Sequence, residues 1–333
     1  MTTEKPTLKT ISRLSGLAVP TVSRALNDAP DIGAETKQKI RRIADEIGYV
    51  PNRAGVRLRT GRTNVISLVI STEHDIMNQT ARLITATAGK LRGTPYHLNV
   101  TPFFPGEDTM RPIRYIVETG AADAVIFNQV EPEDPRVRYL LDQNFPFATH
   151  GRSKWSDQHG YADYDNEAFA RVAVKRLKSR GRKHVLLLAP PPEQSYAQHM
   201  RAGAAAQARS EGMRFQIAAD ITSDAPNAIT REVIASTLTA DPSIDAVICG
   251  SSNSTMASVA GAESAGRTLG QDIDVVGKEA ISFLKLFRKD LLVLPEDVNR
   301  VGEFVAEAAI RAIRHPGETP MQWVEVPSID DFI

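Results

Sequence analysis

From Val19 to Asn27 the chain reads Val-Pro-Thr-Val-Ser-Arg-Ala-Leu-Asn, a run that mixes hydroxyls, a guanidinium and a carboxamide with small apolar residues. On a helix laid in a DNA major groove, Val19, Pro20 and Thr21 in the first turn are placed to read base edges. Ser23 and Arg24 then lie beside phosphate or base. Val22 and Leu26, four apart, face the other way into a small core. Upstream, Leu8, Ile11 and Leu14 share one face of a short amphipathic helix, and Gly16 permits a sharp turn between the two helices. That is the pattern of a helix-turn-helix. Leucines at helical spacing alone would equally suit a helical hairpin within a larger core.

Catalytic patterns are missing by comparison. The sequence contains no Gly-x-Gly-x-x-Gly, phosphate-loop Gly-Lys-Ser/Thr, His-Glu-x-x-His or Gly-x-Ser-x-Gly, the patterns that announce the commonest chemistries on related sheets. His97, His150, His159, His184 and His199 are scattered without metal-ligand spacing and read as surface or cleft histidines. The one cysteine, Cys249, leaves neither an intramolecular disulfide nor a zinc finger. The expectation is a protein that is not an enzyme and needs no cofactor or metal. A reducing interior is the simplest setting, and the absence of an apolar export segment or an 18-residue apolar run predicts the cytoplasm.

A chain of 333 residues suffices for a small reader and one or two larger domains. Lys plus Arg and Asp plus Glu both number 40, yet residues 1–62 carry twelve basic and six acidic side chains, net +6, and the remainder net −6. A positive amino-terminal part suits nucleic acid, and an acidic bulk does not. A third helix spans about 35–48, with Ile40, Ile43, Ala44 and Ile47 closing the bundle and Gly48 ending it. From residue 64 strands alternate with helices. Strands are expected at 65–70, 97–101, 124–127 and 147–149, then at 184–188, 215–218, 246–249 and 273–276. Helices are expected at 76–91, 110–118, 136–143, 168–178, 195–211, 229–238, 255–265 and 301–313. The last of these should cross back to the first half. The fold class is α/β after the amino-terminal helices: two doubly wound parallel-sheet subdomains with a ligand cleft between them.

The first sixty residues resemble the headpiece of the lactose-repressor (LacI/GalR) family of regulators. Thr7-Leu8 opens helix one, Ser15-Gly16 marks the turn, and Thr21-Val22-Ser23-Arg24 and Asn27 follow. Thr36, Ile40, Gly48-Tyr49-Val50-Pro51-Asn52, Ala54 and Leu58 complete the match. The resemblance implies a headpiece over 1–50, a hinge helix and linker over 51–62, and a periplasmic-binding-protein-like effector and dimerisation domain over 63–333. It places Thr7, Leu8, Lys9, Val19, Pro20, Thr21, Ser23, Arg24, Asn27, Thr36, Tyr49, Asn52, Arg53, Gly55, Arg57 and Leu58 at the DNA. Leu58 falls where the family inserts a leucine wedge into the minor groove, with Arg53, Arg57 and Arg59 as flanking cations. Gly55 stands where the family often has alanine, and glycine weakens an isolated helix by about 1 kcal/mol. The alternative reading of the stretch is a solvated basic linker.

The resemblance also implies a set of effector-cleft residues. The loop after the first strand supplies Thr72, His74 and Asp75. The family's Asp-Arg appears as Gly151-Arg152, so the carboxylate is absent. Asp165-Asn166 matches the crossing between subdomains. Arg201 lies near the family's ligand arginine, but its spacing to Gly203 is shorter by one. Ser251-Ser252 replaces Asn-Asp, and Gly277-Lys278-Glu279 replaces Gly-Tyr-Asp. Phe103 and Trp155 could form a stacking floor or simply pack. Two readings stay open. Arg152, Arg201 and Lys278 receive an anionic sugar derivative, because guanidinium pairs bidentately with carboxylate or phosphate. Alternatively these cations pair with Glu73, Asp75 or Glu279 and leave a neutral-sugar site.

The resulting expectation is a homodimeric, sequence-specific repressor of carbohydrate-related genes, bound to a near-palindromic double-stranded operator and relieved by a sugar or anionic sugar derivative. No membrane partner is expected, and the absence of a leucine heptad at the end of the chain speaks for a dimer. The alternatives are a sugar-binding receptor, an activator or co-repressor-dependent regulator, and an enzyme fused to a DNA reader.

Overall fold

The computed structural model describes residues 5–50, 55, 57, 61–71, 79–104, 106–279 and 283–333. The chain divides into two compact units, Met1–Thr63 and Asn64–Ile333.

The first unit is a three-helix headpiece: α1 (Leu8–Ser15), α2 (Val19–Leu26) and α3 (Ala34–Glu46). Thr7 opens α1 with a capping box. Its hydroxyl accepts the Thr10 amide, and its own amide donates to the Thr10 hydroxyl. Gly16 ends the helix at φ 74°, a left-handed conformation that costs glycine little. Pro20 sits in the first turn of α2, where its missing N–H is no loss. Ile11, Val22, Ala25, Ile40 and Ala44 form the core, with Leu8, Leu17, Leu26 and Tyr49 packed around it. Leu14 is a correction. It is 52% exposed, and Ser15 takes the inward position. The buried face of α1 therefore follows the 8, 11, 15 spacing rather than 8, 11, 14.

The second unit holds two wholly parallel sheets. The first has the order β11-β5-β4-β3-β1-β2, from β1 (Val65–Ser71), β2 (His97–Phe103), β3 (Ala124–Phe127), β4 (Phe147–His150), β5 (Gly160–Tyr164) and β11 (Gln322–Glu325). Helices α4 (Gln79–Leu91) and α12 (Val298–Arg314) supply one of its cores. Helices α5 (Met110–Thr119) and α6 (Pro135–Asp142) supply the other. The second sheet has the order β10-β9-β8-β6-β7, from β6 (His184–Leu188), β7 (Arg214–Ile217), β8 (Ala246–Cys249), β9 (Asp274–Glu279) and β10 (Leu292–Pro295). It is flanked by α7 (Asn166–Ser179) and α8 (Ser195–Ser210) on one face. The other face carries α9 (Asn227–Ala240), α10 (Ser252–Ser264) and the short α11 (Leu284–Phe287). Strands buried on both faces explain the near-continuous apolar runs such as Val-Leu-Leu-Leu.

The expected α/β class and the return of the last helix to the first sheet are both observed. Three strands, β5, β10 and β11, were not foreseen. The chain passes between the sheets after Tyr164, after Pro295 and after Glu325. These crossings are stitched together: the Asp165 amide donates to the Glu325 carbonyl at 2.8 Å, and the Asp297 amide donates to the Glu325 carboxylate at 3.0 Å.

Candidate functional site

Each sheet reverses its strand order beside its first strand, between β1 and β3 and between β6 and β8. At such switch points the carboxyl ends of the strands open a crevice. A cavity of about 100 Å³ lies there between the two sheets. The first sheet contributes Ser71, Asn128, Gln129, His150, Gly151, Asp163 and Tyr164; the second contributes Ser223, Asp224, Gly250, Ser251 and Lys278. Gln79, Thr80, Asn166, Tyr196 and Glu296 complete the walls.

The cations at this cleft are already paired. Lys278 Nζ meets the Glu296 carboxylate at 2.9 Å and donates to Asn166 Oδ1 at 3.2 Å, with the Tyr164 ring 4.9 Å below it. His150 approaches the same carboxylate at 3.5 Å. Burial would raise the Glu296 carboxyl, but Lys278 and His150 outweigh it and hold it down at about 2. Asp163 accepts from Arg152 Nε at 2.6 Å. Burial nonetheless raises Asp163, and the guanidinium offsets this only in part. Outside these pairs, Asp224 accepts the Ser223 hydroxyl at 2.9 Å. The Tyr164 hydroxyl and Asn128 Oδ1 are buried without a protein partner.

Several sequence-level assignments need correction. Arg152 does not line the cavity, because its guanidinium turns to Asp163. Asp165 is the cap of α7, accepting the Ala168 amide at 3.0 Å, and its neighbour Asn166 is the cavity residue. Glu279 is buried and accepts the backbone amides of Phe283 and Leu284. Trp155 packs on the α5–α6 core with Lys154 over its ring, and Phe103 belongs to that same core. Phe103 lines a neighbouring cavity of about 160 Å³ rather than the cleft. Arg201 lies on α8 and is not among the residues that line the cavity; its Nε is buried without a protein partner. Ser251 and Lys278 do line it. The Ser251 hydroxyl also caps α10, accepting the Ser254 amide at 3.2 Å. Gly151 has φ +118°, with Val130 3.3 Å from where a Cβ would stand. A side chain there would be strained, so the missing carboxylate follows from the backbone. Thr72, His74, Asp75 and Glu73 lie outside the described residues.

On the headpiece, Lys9, Pro20 and Arg24 are exposed, and Val19, Thr21, Ser23 and Thr36 are half-buried on its surface. Arg24 forms an ion pair with Asp31. Asn27 donates to the Ser23 carbonyl at 2.5 Å and so closes the end of α2. Thr7 is occupied as the cap of α1, and Leu8 and Tyr49 pack on the core. Gly55 and Arg57 are helical and exposed. Asn52, Arg53 and Leu58 lie outside the described residues.

Burial pushes the Cys249 thiol up to about 12. Among the described residues no group of His, Cys, Asp and Glu could hold a metal ion, and no helix is long and apolar enough to cross a membrane.

Comparison with known proteins agrees with both regions. The family model of bacterial regulatory proteins, lacI family, matches residues 7–52. That of periplasmic binding proteins and the sugar binding domain of the LacI family matches residues 99–322. The HTH-type transcriptional regulator AglR of Rhizobium meliloti is 27% identical over 323 residues, 95% of this chain and 90% of AglR. The HTH-type transcriptional regulator CelR of Thermobifida fusca is 25% identical over 295 residues, 82% of each. Among solved structures, the lac repressor dimer bound to operator and the anti-inducer ONPF superposes with a TM-score of 0.82 at 17% identity, over 97% of each chain. A CelR–cellobiose complex gives 0.70 at 21% identity, over 96% of this chain and 97% of its own. At these identities the two structures attest the fold.

Proposed function

The chain belongs to the lacI family of bacterial regulatory proteins, DNA-binding transcriptional regulators rather than enzymes, and from that premise we propose that it is a repressor released by a neutral sugar. The observation that carries the choice of ligand is the pairing in the cleft. Lys278 is committed to Glu296 and Arg152 to Asp163. An anionic ligand would have to displace a carboxylate from a buried pair, which is costly. A polyhydroxy ligand instead meets unpartnered acceptors and donors at Tyr164 and Asn128, further hydroxyls and amides at Gln129 and Ser223, and the rings of Tyr164 and Tyr196. The complex of its relative CelR with cellobiose supports a sugar of this kind.

In this reading two copies place α2 in successive major-groove half-sites of a near-palindromic operator. The large unit bears exposed apolar side chains at Phe104, Tyr115, Ile229, Met256 and Leu286, surface that suits pairing between copies. Sugar binding changes the relation of the two sheets across the crossings at 164–166, 295–297 and 325–328. Through residues 51–62 it lowers operator affinity, which requires unequal binding to the two states.

The test is operator binding by the purified protein, with neutral di- and trisaccharides in one series and sugar phosphates in the other. Release by a neutral sugar is expected. Release by sugar phosphates alone would overturn the neutral reading, and tighter binding in the presence of sugar would overturn relief of repression.

A further inference from the structure

The large unit holds a second cavity, of about 270 Å³, that shares no residue with the cleft. It lies at the opposite, amino-terminal ends of β4, β5 and β11. It is closed by the last turn of α6, the last turns of α12 and the loop 315–321. Leu140, Phe145, Phe147 and Met321 give it apolar walls. Helix α12 joins the two cavities. Glu296, in the cleft, lies two residues before its first residue, and Ala308, Arg311 and Ala312 near its far end line the second cavity.

His159 lines this cavity and is 3% exposed. Its ring lies on Phe147 with centroids 4.7 Å apart. The contact of Nδ1 with the Gly160 carbonyl at 3.0 Å fixes the tautomer, because a carbonyl only accepts. Nδ1 therefore carries the proton, and Nε2 presents a lone pair. That lone pair is buried and has no protein partner. Buried acceptors are nearly always matched, since an unmatched one forfeits its hydration without replacement. Burial also pushes the His159 pKa down, which keeps the ring neutral and Nε2 an acceptor. At the mouth the Glu318 carboxylate pairs with Arg311 at 2.9 Å, and the His315 ring lies 3.4 Å from it. An ionic ligand gains little there. A cavity of roughly 150 Å³ already accommodates benzene, so this one has room for a substituted ring.

We propose that this cavity is a second small-molecule site, for a neutral ring of phenol or indole type whose O–H or N–H donates to His159 Nε2 while its body packs on Phe147 and Leu140. The site is independent of the sugar assignment, because its walls, its polarity and its position all differ from those of the cleft.

Phenol, anisole and toluene are the probes, titrated into the full-length protein and followed by calorimetry and by the imidazole nitrogen resonances of His159. Phenol should bind saturably and shift the Nε2 resonance. Anisole, which has no donor, should bind about tenfold more weakly, the value of one such hydrogen bond. Ala312→Phe fills the cavity from its half-buried rim and should abolish phenol binding, and His159→Phe should erase the preference for phenol over anisole. Should the buried His159 variant fail to fold, the phenol–anisole ratio on the natural protein and Ala312→Phe still decide the matter. Equal affinity for phenol and anisole, phenol binding that survives Ala312→Phe, or no saturable binding at millimolar phenol would each overturn the proposal.

Discussion

The headpiece and the cleft use the same kinds of side chain in opposite electrostatic settings. On the headpiece, Arg24 and Asp31 pair with their side chains 57% and 46% exposed. In the cleft, Lys278 and Glu296 pair at 10% and 2%. Water screens the first pair, and such pairs contribute about 0–1 kcal/mol. Low dielectric isolates the second, where removing one partner strands a charge at a cost of about 3–5 kcal/mol. A headpiece cation can therefore exchange a carboxylate for a phosphate at little expense. A cleft cation cannot, and an incoming ligand must bind to whatever groups remain.

The largest effect that would test this contrast is on stability. Lys278→Met should lower the unfolding free energy of the large unit by about 3–5 kcal/mol, read by denaturant titration. The double variant Lys278→Met/Glu296→Leu should recover most of that loss, since no buried charge is then stranded. Equal losses in the single and double variants would mean that the pair is no more than packing. Acid probes the same pair. The Glu296 carboxyl falls from its ordinary 4.5 to about 2 in the folded protein, so the unfolded chain binds this proton more tightly. The resulting stabilisation, on the order of 3 kcal/mol, is complete above about pH 4.5 and is lost as pH falls through about 2. Glu296→Gln should flatten stability across that window.

At the next scale down, the two regions should separate by readout. Arg24→Ala should weaken operator binding by about 1–3 kcal/mol if Arg24 meets a base. If Arg24 meets phosphate instead, the salt slope should shrink by about 1. In either case its stability should stay within about 0.5 kcal/mol of the parent. Tyr164→Phe should cost the sugar about tenfold in affinity, one hydrogen bond, and leave operator binding by the unliganded protein unchanged. A Tyr164→Phe variant with unaltered sugar affinity would remove the hydroxyl from the proposed site.

This contrast also explains what could be read in advance. The headpiece lies within some fifty contiguous residues, and its capping, turn and helical spacing are local signals. Its one misreading, Leu14 for Ser15, arose because i+3 and i+4 steps from Ile11 both fit a helix. The cleft is assembled from the ends of β1, β3, β4, β5, β8, β9 and β10, so its pairings join residues distant in the chain. Glu296 was missed because β10 is only four residues long and ends in proline. β5 was missed because Gly160 opens it and the buried Asp163 interrupts its apolar pattern. Asp163 and Glu296 are the partners that neutralise Arg152 and Lys278, so without those strands the cations looked available. The two doubly wound sheets were legible because long helices and apolar strands alternate without interruption.

The smallest effect is also the most direct test of partner exchange. Asp31→Ala removes the carboxylate that holds Arg24 in the free headpiece. Stability should change by less than about 0.5 kcal/mol, because the pair is exposed. Operator affinity should rise about twofold to fivefold at low salt, since Arg24 no longer leaves one partner for another and a negative charge near the DNA is gone. The gain should fade as salt approaches physiological strength, where the Debye length is about 8 Å. Weaker operator binding by Asp31→Ala would show the reverse relation, with Asp31 orienting the guanidinium toward the DNA. The headpiece would then resemble the cleft, as a surface whose charges are fixed in place before the ligand arrives.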